Sequence, residues 1–168
     1  IHITDSVVHH IRNKFRLRET KLSKFFEGHS NLTNDEIKGG IIFFGKGKCA
    51  NCHYGPHFSD FKYHRIVTPL IGFGKNGYGI DYGRFNVTLD YDDLYKFRTP
   101  PLANVDKTSP YGHSGSINSL KEVIQTHYDP LSLININNLD DLRRRELFKI
   151  IASIDNIENI PSYLDEQE

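Results

Sequence analysis

The feature that most constrains this chain is the tight group of two thiols and one imidazole in "CANCH", residues 49–53. Cys49 and Cys52 are the only two cysteines of the chain, and His53 follows the second one directly. In c-type haem attachment, cysteines at this spacing form thioethers with the haem vinyl groups, and the histidine ligates the iron from the proximal side. The motif therefore predicts one covalent haem c, with Cys49 and Cys52 as its attachment sites and His53 as its proximal ligand.

Two other chemistries use closely spaced cysteines. A structural zinc site needs about four ligands, but this chain has no second cysteine pair, and His57 and His64 are spaced more widely than the histidines of a zinc finger. A redox-active dithiol belongs to a βαβ pattern, and none surrounds this motif. Neither chemistry requires a histidine directly after Cys52, so haem is favoured and zinc and dithiol remain the residual alternatives.

Composition narrows the class of protein further. The 168 residues suffice for one domain with a core, and the formal net charge of zero argues against nucleic-acid binding. No apolar stretch reaches membrane-spanning length, so no membrane span is expected. The opening "IHITDSVVHH" lacks the pattern of a signal peptide, which is typical of a mature product or a fragment. Because c-type haem is attached outside the cytoplasm, a periplasmic or otherwise extracytoplasmic location is expected.

Apolar periodicity predicts an all-α fold of about four helices with long loops. A first helical segment falls within residues 5–28, and a second helix begins at a capping box formed by Thr33 and Glu36 and ends at Gly45 or Gly47. The cysteines then follow a helix end. The predicted inward faces of these two segments comprise Val7, Val8, Ile11, Phe15, Ile37, Ile41 and Phe44.

The second half of the chain predicts two more helices. One begins near Ser116 and ends at Asp129-Pro130, and the other has Asn138 as its expected N-cap. Their apolar stripes comprise Leu120, Val123, Ile124 and His127 in the first, and Leu147, Ile150, Ile151 and Ile154 in the second. Residues 54–98 are expected to be mostly loop, with a β-rich or partly disordered segment as the alternative.

Two strings carry a family resemblance: "GGIIFFGKGKCANCHYGPHFSD" at residues 39–60 and "KFRTPPLANVDKTSPYGHSGSINSLKEVIQTHYDP" at residues 96–130. They resemble the C-terminal haem domain of the bacterial di-haem cytochrome c peroxidases and the related MauG-type enzymes, over about residues 25–154. The resemblance implies a class-I cytochrome c-like haem domain over residues 29–168. Residues 1–28 would then be a helical extension, a remnant of or link to a preceding domain.

Family members of this kind have two haem domains, of which the N-terminal one is peroxidatic and the C-terminal one receives electrons. The present sequence has one C-x-x-C-H. The resemblance thus implies an electron-transfer domain whose partners are a second haem-bearing domain or chain and a small redox donor protein, with hydrogen peroxide as the substrate of the assembly. The alternative is a stand-alone mono-haem cytochrome that acts as an electron carrier or subunit. A weaker third reading is an open iron site that binds a small ligand.

Several further residues become candidates through the resemblance. Thr108 and Pro110 stand where the family offers oxygens to calcium, so a Ca²⁺ ion is a second candidate cofactor. Arg98 is a candidate partner for a haem propionate, because guanidinium binds carboxylate in a bidentate way, and a plain surface charge is the alternative. His113 in "PYGHSG" is a candidate catalytic residue near the haem edge, or simply a turn residue. Packing rather than a radical relay is expected for Tyr78, Tyr82, Tyr91 and Tyr95.

The distal side of the iron is constrained by the absence of methionine from the whole chain. The remaining candidates are His127, Tyr128, His113 and water. His127 shares the predicted inward stripe and occupies the position where the peroxidases have Met and the MauG-type enzymes Tyr. Tyr128 lies about 100° further around the helix and is expected to turn away. We therefore expect His127 as the distal ligand and a bis-histidine, low-spin iron.

Overall fold

The computed structural model describes residues 2–14, 19–66 and 80–153, and its regular structure is mostly helical. It divides into two units, residues 1–38 and residues 39–168. Six α-helices fall within the described residues: α1 His2–Lys14, α2 Lys21–Phe26, α3 Asn34–Phe44, α4 Phe85–Thr88, α5 Leu120–Tyr128 and α6 Asp141–Ala152. Two short strands accompany them, β1 Tyr63–His64 and β2 Phe97–Arg98. The prediction of a mainly helical chain is confirmed.

The first unit begins with α1 and α2. The apolar residues predicted for one face of α1, Val7, Val8 and Ile11, are all exposed, and Phe15 lies outside the described residues. Helix α2 begins at a capping box in which the Thr20 hydroxyl accepts from the Ser23 backbone N–H at 3.0 Å. None of the described helices is both long and apolar enough to cross a bilayer.

Helix α3 begins and ends as the sequence predicts, but Ile37, Ile41 and Phe44, expected to face inward, are exposed. The Thr33 backbone N–H donates to the Glu36 carboxylate at 2.6 Å, and the Glu36 N–H donates to the Thr33 hydroxyl at 3.3 Å. The Lys21 ammonium also donates to Glu36, and it is the main cause of the lowered pKa of that carboxyl. The helix ends at Phe44, where a Cβ on Gly45 would lie only 2.5 Å from the Ile41 carbonyl oxygen. The attachment motif follows within five residues.

Among the described residues of the second unit, the apolar core lies around α6. Its buried members are Ile80, Tyr95, Ile134, Leu139 and Ile150. Partly buried Tyr82, Leu94, Leu147 and Ile151 pack against them. Of the stripe predicted for the last helix, Ile150 is buried and Leu147 and Ile151 are partly buried. Ile154 lies outside the described residues.

The segment predicted as loop, residues 54–98, contains some regular structure. Strands β1 and β2 pair antiparallel, with Tyr63 opposite Arg98 and His64 opposite Phe97, and the four-residue helix α4 lies between them in the chain. Tyr82 and Tyr95 contact each other with ring centroids 5.9 Å apart, as expected of packing residues. Tyr91 is exposed, and Tyr78 lies outside the described residues.

Helix α5 agrees with its predicted end but not fully with its predicted face. Ser119 caps it through a reciprocal capping box with Glu122, and it ends before Asp129. Ile124, expected to face inward, is 52% exposed, whereas Thr126 is 1% exposed. Burial of Thr126 costs little because its hydroxyl donates to the Val123 carbonyl at 2.7 Å.

The predicted N-cap of the last helix is wrong. The N-cap of α6 is Asp140, whose carboxylate accepts from the Arg143 backbone N–H at 2.8 Å. Asn138 instead ends a single 3₁₀ turn, Ile136–Asn138. Asn and Asp both favour the N-cap position. Here Asn138 is part of the preceding 3₁₀ turn, so Asp140 takes the N-cap position of α6.

Candidate haem-attachment site

The attachment motif folds into one tight turn directly after α3. Residues Cys49–Asn51 form a single 3₁₀ turn. The backbone N–H groups of Cys52 and His53 both donate to the Cys49 carbonyl, at 3.3 and 2.9 Å. Neither cysteine is in a disulfide, and both are half-buried. The turn therefore presents two thiols and one imidazole within five residues, which is the donor set that covalent haem attachment requires.

His53 is held in the tautomer that can ligate a metal. Its Nδ1 lies 2.9 Å from the Phe58 carbonyl oxygen. A carbonyl only accepts, so Nδ1 carries the proton and donates, and the lone pair of the neutral ring is on Nε2. Burial lowers the pKa of His53, and a charge on the nearby His127 acts in the same direction, against the opposing effects of the Phe58 backbone, Asp60 and the Pro100 backbone. A neutral imidazole with a free Nε2 is the form that binds iron.

His127, near the end of α5, has the same arrangement. Its Nδ1 lies 2.7 Å from the Val123 carbonyl oxygen, one helical turn earlier. By the same argument Nδ1 donates and the lone pair of the neutral ring is on Nε2. The side chain is half-buried, and it lies near enough to His53 to influence the pKa of that ring. The structure thus brings together two histidines that are 74 residues apart, each with Nδ1 committed to a backbone carbonyl.

Tyr128 is the residue whose position the sequence did not predict. Expected to turn away, it instead reaches the attachment turn, where its hydroxyl donates to the Gly47 carbonyl at 3.1 Å. Burial, together with the adjacent Cys49, raises the pKa of Tyr128 to about 12. Burial also raises the pKa of the Cys49 thiol, partly offset by its interaction with Tyr128. A contact between residues 81 positions apart leaves no signal in local periodicity.

A second polar group lies beside Cys52. The Asp60 carboxylate, 3% exposed, accepts from the His64 imidazole at 2.8 Å, and the Asp60 backbone N–H donates to the Cys52 carbonyl. Burial acts to raise the pKa of Asp60, but hydrogen bonds from His64 and the Lys62 backbone outweigh it, so the net shift is downward. Among the described residues, one group of three His, Cys, Asp or Glu side chains has ligand atoms that all lie within 4.8 Å of one another, and it consists of Cys52, Asp60 and His64.

The remaining candidates lie outside the helices. His113 Nε2 lies 3.0 Å from an Asp81 carboxylate oxygen, and its ring lies over Phe97 with centroids 4.0 Å apart. Arg98 is exposed and its guanidinium lies over the Phe61 ring at 4.6 Å. The Thr108 hydroxyl donates to the Val105 carbonyl at 3.0 Å. Pro110 is exposed and follows a cis peptide bond after Ser109. His57 is exposed, with its ring near Phe61.

Fold and site together define a helical protein with a c-type haem-attachment turn, and comparison with known proteins agrees. The chain is 31% identical over 134 residues to the cytochrome c551 peroxidase of Nitrosomonas europaea, a match that covers 79% of this chain and 37% of that protein. It is 32% identical over 125 residues to the cytochrome-c peroxidase IdrP1 of Pseudomonas sp. (strain SCT), covering 60% and 33%. It is also 33% identical over 99 residues to the methylamine utilization protein MauG of Methylorubrum extorquens, covering 59% and 26%.

A solved structure shows the same fold. It is described as a MauG-like protein associated with microbial copper homeostasis, and it matches with a TM-score of 0.56 at 24% identity, over 86% of this chain and 50% of that one. No protein-family model matches the chain.

The chain is homologous to part of the cytochrome c peroxidase and MauG proteins, which confirms the predicted resemblance. It spans about a third of the length of the peroxidases it matches, and this partial coverage fits a single domain such as the C-terminal one. These relatives support a redox role based on c-type haem.

Proposed function

We propose that this chain is the electron-transfer haem domain of a di-haem cytochrome c peroxidase-like oxidoreductase. It receives electrons from a small redox donor protein and passes them to a peroxidatic haem on a second domain or chain, where hydrogen peroxide is reduced. The fold would be a class-I cytochrome c-like domain over residues 29–168, with residues 1–28 as a helical extension, and the location periplasmic or otherwise extracytoplasmic.

One observation carries the proposal: His53 and His127 are held in the same way by the backbone. Each donates from Nδ1 to a backbone carbonyl, at 2.9 and 2.7 Å, so the lone pair of each neutral ring is on Nε2. Such hydrogen bonds on the outer nitrogen fix the ring orientation of a metal-ligating histidine and raise its basicity. Cys49 and Cys52 would hold the haem covalently, His53 would be the proximal ligand and His127 the distal one. The bound haem supplies one-electron redox chemistry.

The chain's own residues would set the potential and access of that haem. Two histidine ligands and no methionine favour a lower potential than a His/Met pair gives. Iron with both axial positions filled has no site for peroxide, which is why the reduction is assigned to another haem. Arg98 is proposed as a partner of a propionate, Thr108 and Pro110 as oxygen donors to a Ca²⁺ ion, and His113 as a candidate catalytic residue at the haem edge.

A second function is favoured by one specific observation, the single C-x-x-C-H of the sequence. A chain with one haem would serve as a mono-haem electron carrier or as a subunit that connects a larger redox complex. It would not reduce peroxide with any partner domain.

Haem stoichiometry separates these functions. On a denaturing gel, haem-peroxidase staining should mark the band of this chain, and the stain should be lost when both Cys49 and Cys52 are replaced by Ala. An unstained wild-type band with two titratable thiols would overturn the haem assignment. A pyridine haemochrome assay of the native assembly should then count two haems. A separate assay of the same assembly should show turnover of hydrogen peroxide. One haem and no turnover would establish the carrier function instead.

A further inference from the structure

Tyr128 joins the helix that carries one proposed iron ligand to the turn that carries the other. Its hydroxyl donates to the Gly47 carbonyl at 3.1 Å, and this bond links residues 81 positions apart. The Tyr128 side chain is half-buried, so water competes only weakly for the donor. The bond therefore connects the last residue of α5 with the approach to the attachment turn.

The acceptor of this bond is itself fixed. The Gly47 backbone N–H donates to the Ile42 carbonyl of α3 at 2.8 Å, and the Lys48 N–H donates to the Gly45 carbonyl at 3.1 Å. A Cβ on Gly47 would lie 2.7 Å from the Ile42 carbonyl oxygen, so the backbone approaches the helix too closely for any other residue. The Cys49 thiol points to the same Gly47 oxygen at 3.5 Å. Tyr128 is thus tied to a rigid extension of α3.

The donor end is next to His127. Tyr128 is the last residue of α5, and the helix ends at Asp129, whose backbone N–H donates to the Gln125 carbonyl at 2.8 Å. The final turn of a helix is the part most prone to fray, because its carbonyls have no partner within the helix. An anchor at Tyr128 holds this turn in place, and with it the ring of His127.

We infer that Tyr128 is a positioning residue that keeps His127 within reach of the haem iron by tying the end of α5 to Gly47. This inference rests on the proposed bis-histidine ligation. The role assigned to Tyr128 concerns the strength of the bond between His127 and the iron. The tyrosine hydroxyl itself is directed at the backbone of the attachment turn. Loss of the anchor shifts the equilibrium from the six-coordinate, low-spin state toward a state in which His127 has left the iron.

Tyr128→Phe in the haem-loaded chain tests the inference. It removes the hydroxyl, which also interacts with the Cys49 side chain, and keeps the aromatic ring, so folding and haem attachment should be preserved. The matched control is Tyr111→Phe, which removes a hydroxyl that donates to the Val105 carbonyl at 2.9 Å from another half-buried tyrosine. Ferric electron paramagnetic resonance spectra give the high-spin to low-spin ratio, and added cyanide measures how readily the distal position opens.

In Tyr128→Phe we expect the ratio of high-spin to low-spin iron, and the apparent cyanide affinity, to rise about fivefold, as follows from the loss of one hydrogen bond of ordinary net strength. Tyr111→Phe should match the wild type in both. A purely structural tyrosine would lower thermal stability without changing either spectroscopic quantity. Spectra of Tyr128→Phe that equal those of Tyr111→Phe would overturn the inference.

His127→Ala, measured in parallel, separates this failure from failure of the ligand assignment. If His127→Ala converts the iron to high spin and Tyr128→Phe does nothing, only the positioning role is wrong. If His127→Ala leaves the spectrum unchanged, His127 is not the ligand and both ideas are overturned.

Discussion

The hydroxyl of Tyr95 donates a hydrogen bond to the carboxylate of Glu146, and both residues are more than nine-tenths buried. The bond joins the loop before β2 to helix α6 across 51 residues of sequence. Glu146 also accepts from the Lys149 ammonium at 2.6 Å. A buried carboxylate with two donors is satisfied, and the removal of one donor leaves part of its charge uncompensated.

Tyr95→Phe should destabilise the fold by about 2 kcal/mol, because a hydrogen bond to a buried charged group is lost while the ring packing is kept. Denaturant unfolding measures the change in the free energy of unfolding. Tyr91→Phe is the control, since Tyr91 is 77% exposed and should change stability by no more than about 0.5 kcal/mol. Equal effects of the two substitutions would show that the Tyr95 bond adds nothing to stability.

Stability should also depend on pH through Glu146. Burial acts to raise the pKa of Glu146, but the hydrogen bonds from Lys149 and Tyr95 outweigh burial, so the pKa in the folded state lies below its ordinary value. A lowered folded-state pKa means that the unfolded chain binds the proton more readily. The stabilisation is therefore complete above the ordinary value of about 4.3 and is lost as the pH falls through the folded-state pKa.

Unfolding measured at a series of pH values should show this loss below about pH 4.3 in the wild type. Glu146→Gln should flatten the acid part of the profile. Glu19→Gln, at a carboxylate with a 75% exposed side chain, serves as the control and should leave the profile nearly unchanged. A Glu146→Gln profile parallel to that of the wild type would contradict the assignment.

Ser59 should stabilise the loop that supports His53. Its buried hydroxyl donates to the Thr99 carbonyl at 2.8 Å and accepts from the Phe61 backbone N–H at 3.0 Å. Ser59 directly follows Phe58, whose carbonyl receives the His53 Nδ1 proton. Ser59→Ala leaves two backbone groups without their partner and should cost about 1–3 kcal/mol of stability.

The same substitution should change the midpoint potential of the haem in a redox titration, because the neighbouring Phe58 carbonyl, which accepts from His53 Nδ1, is then held less firmly. Ser109→Ala is the matched control: its exposed hydroxyl donates to the Asn118 carbonyl at 3.1 Å, away from His53 in sequence. If Ser59→Ala lowers the melting temperature but not the potential, Ser59 supports the fold alone.

The haem-loaded chain by itself should be a poor peroxidase. Both axial positions of the iron would be filled by histidine, and the peroxidatic haem would be held elsewhere. Peroxide assays with a reduced electron donor should give turnover far below the roughly 10 per second of an ordinary enzyme. Turnover at that level from the isolated chain would refute the electron-transfer assignment and favour an open iron site.

Much of the fold and the centre of the site could be predicted from local sequence. The C-x-x-C-H turn is contiguous, so its chemistry depends on five neighbouring residues. The capping box of Thr33 with Glu36 and the end of α5 at Asp129-Pro130 likewise depend on residues within one helical turn. The absence of methionine pointed to His127, whose Nδ1 donates to the Val123 carbonyl, and its role as distal ligand stays a prediction. These features are set by short-range sterics and hydrogen bonding, which periodicity and motif spacing report.

The sequence by itself thus determined the attachment turn and the placement of most helices. Tertiary structure alone decided that Tyr128 reaches Gly47, that Tyr95 meets Glu146 and that Asp60 and His64 lie beside Cys52. It also decided that Asp140 rather than Asn138 caps α6. The physical reason is that such contacts depend on how whole elements pack, and a side chain's direction around a helix gives no information on which distant loop will lie against it.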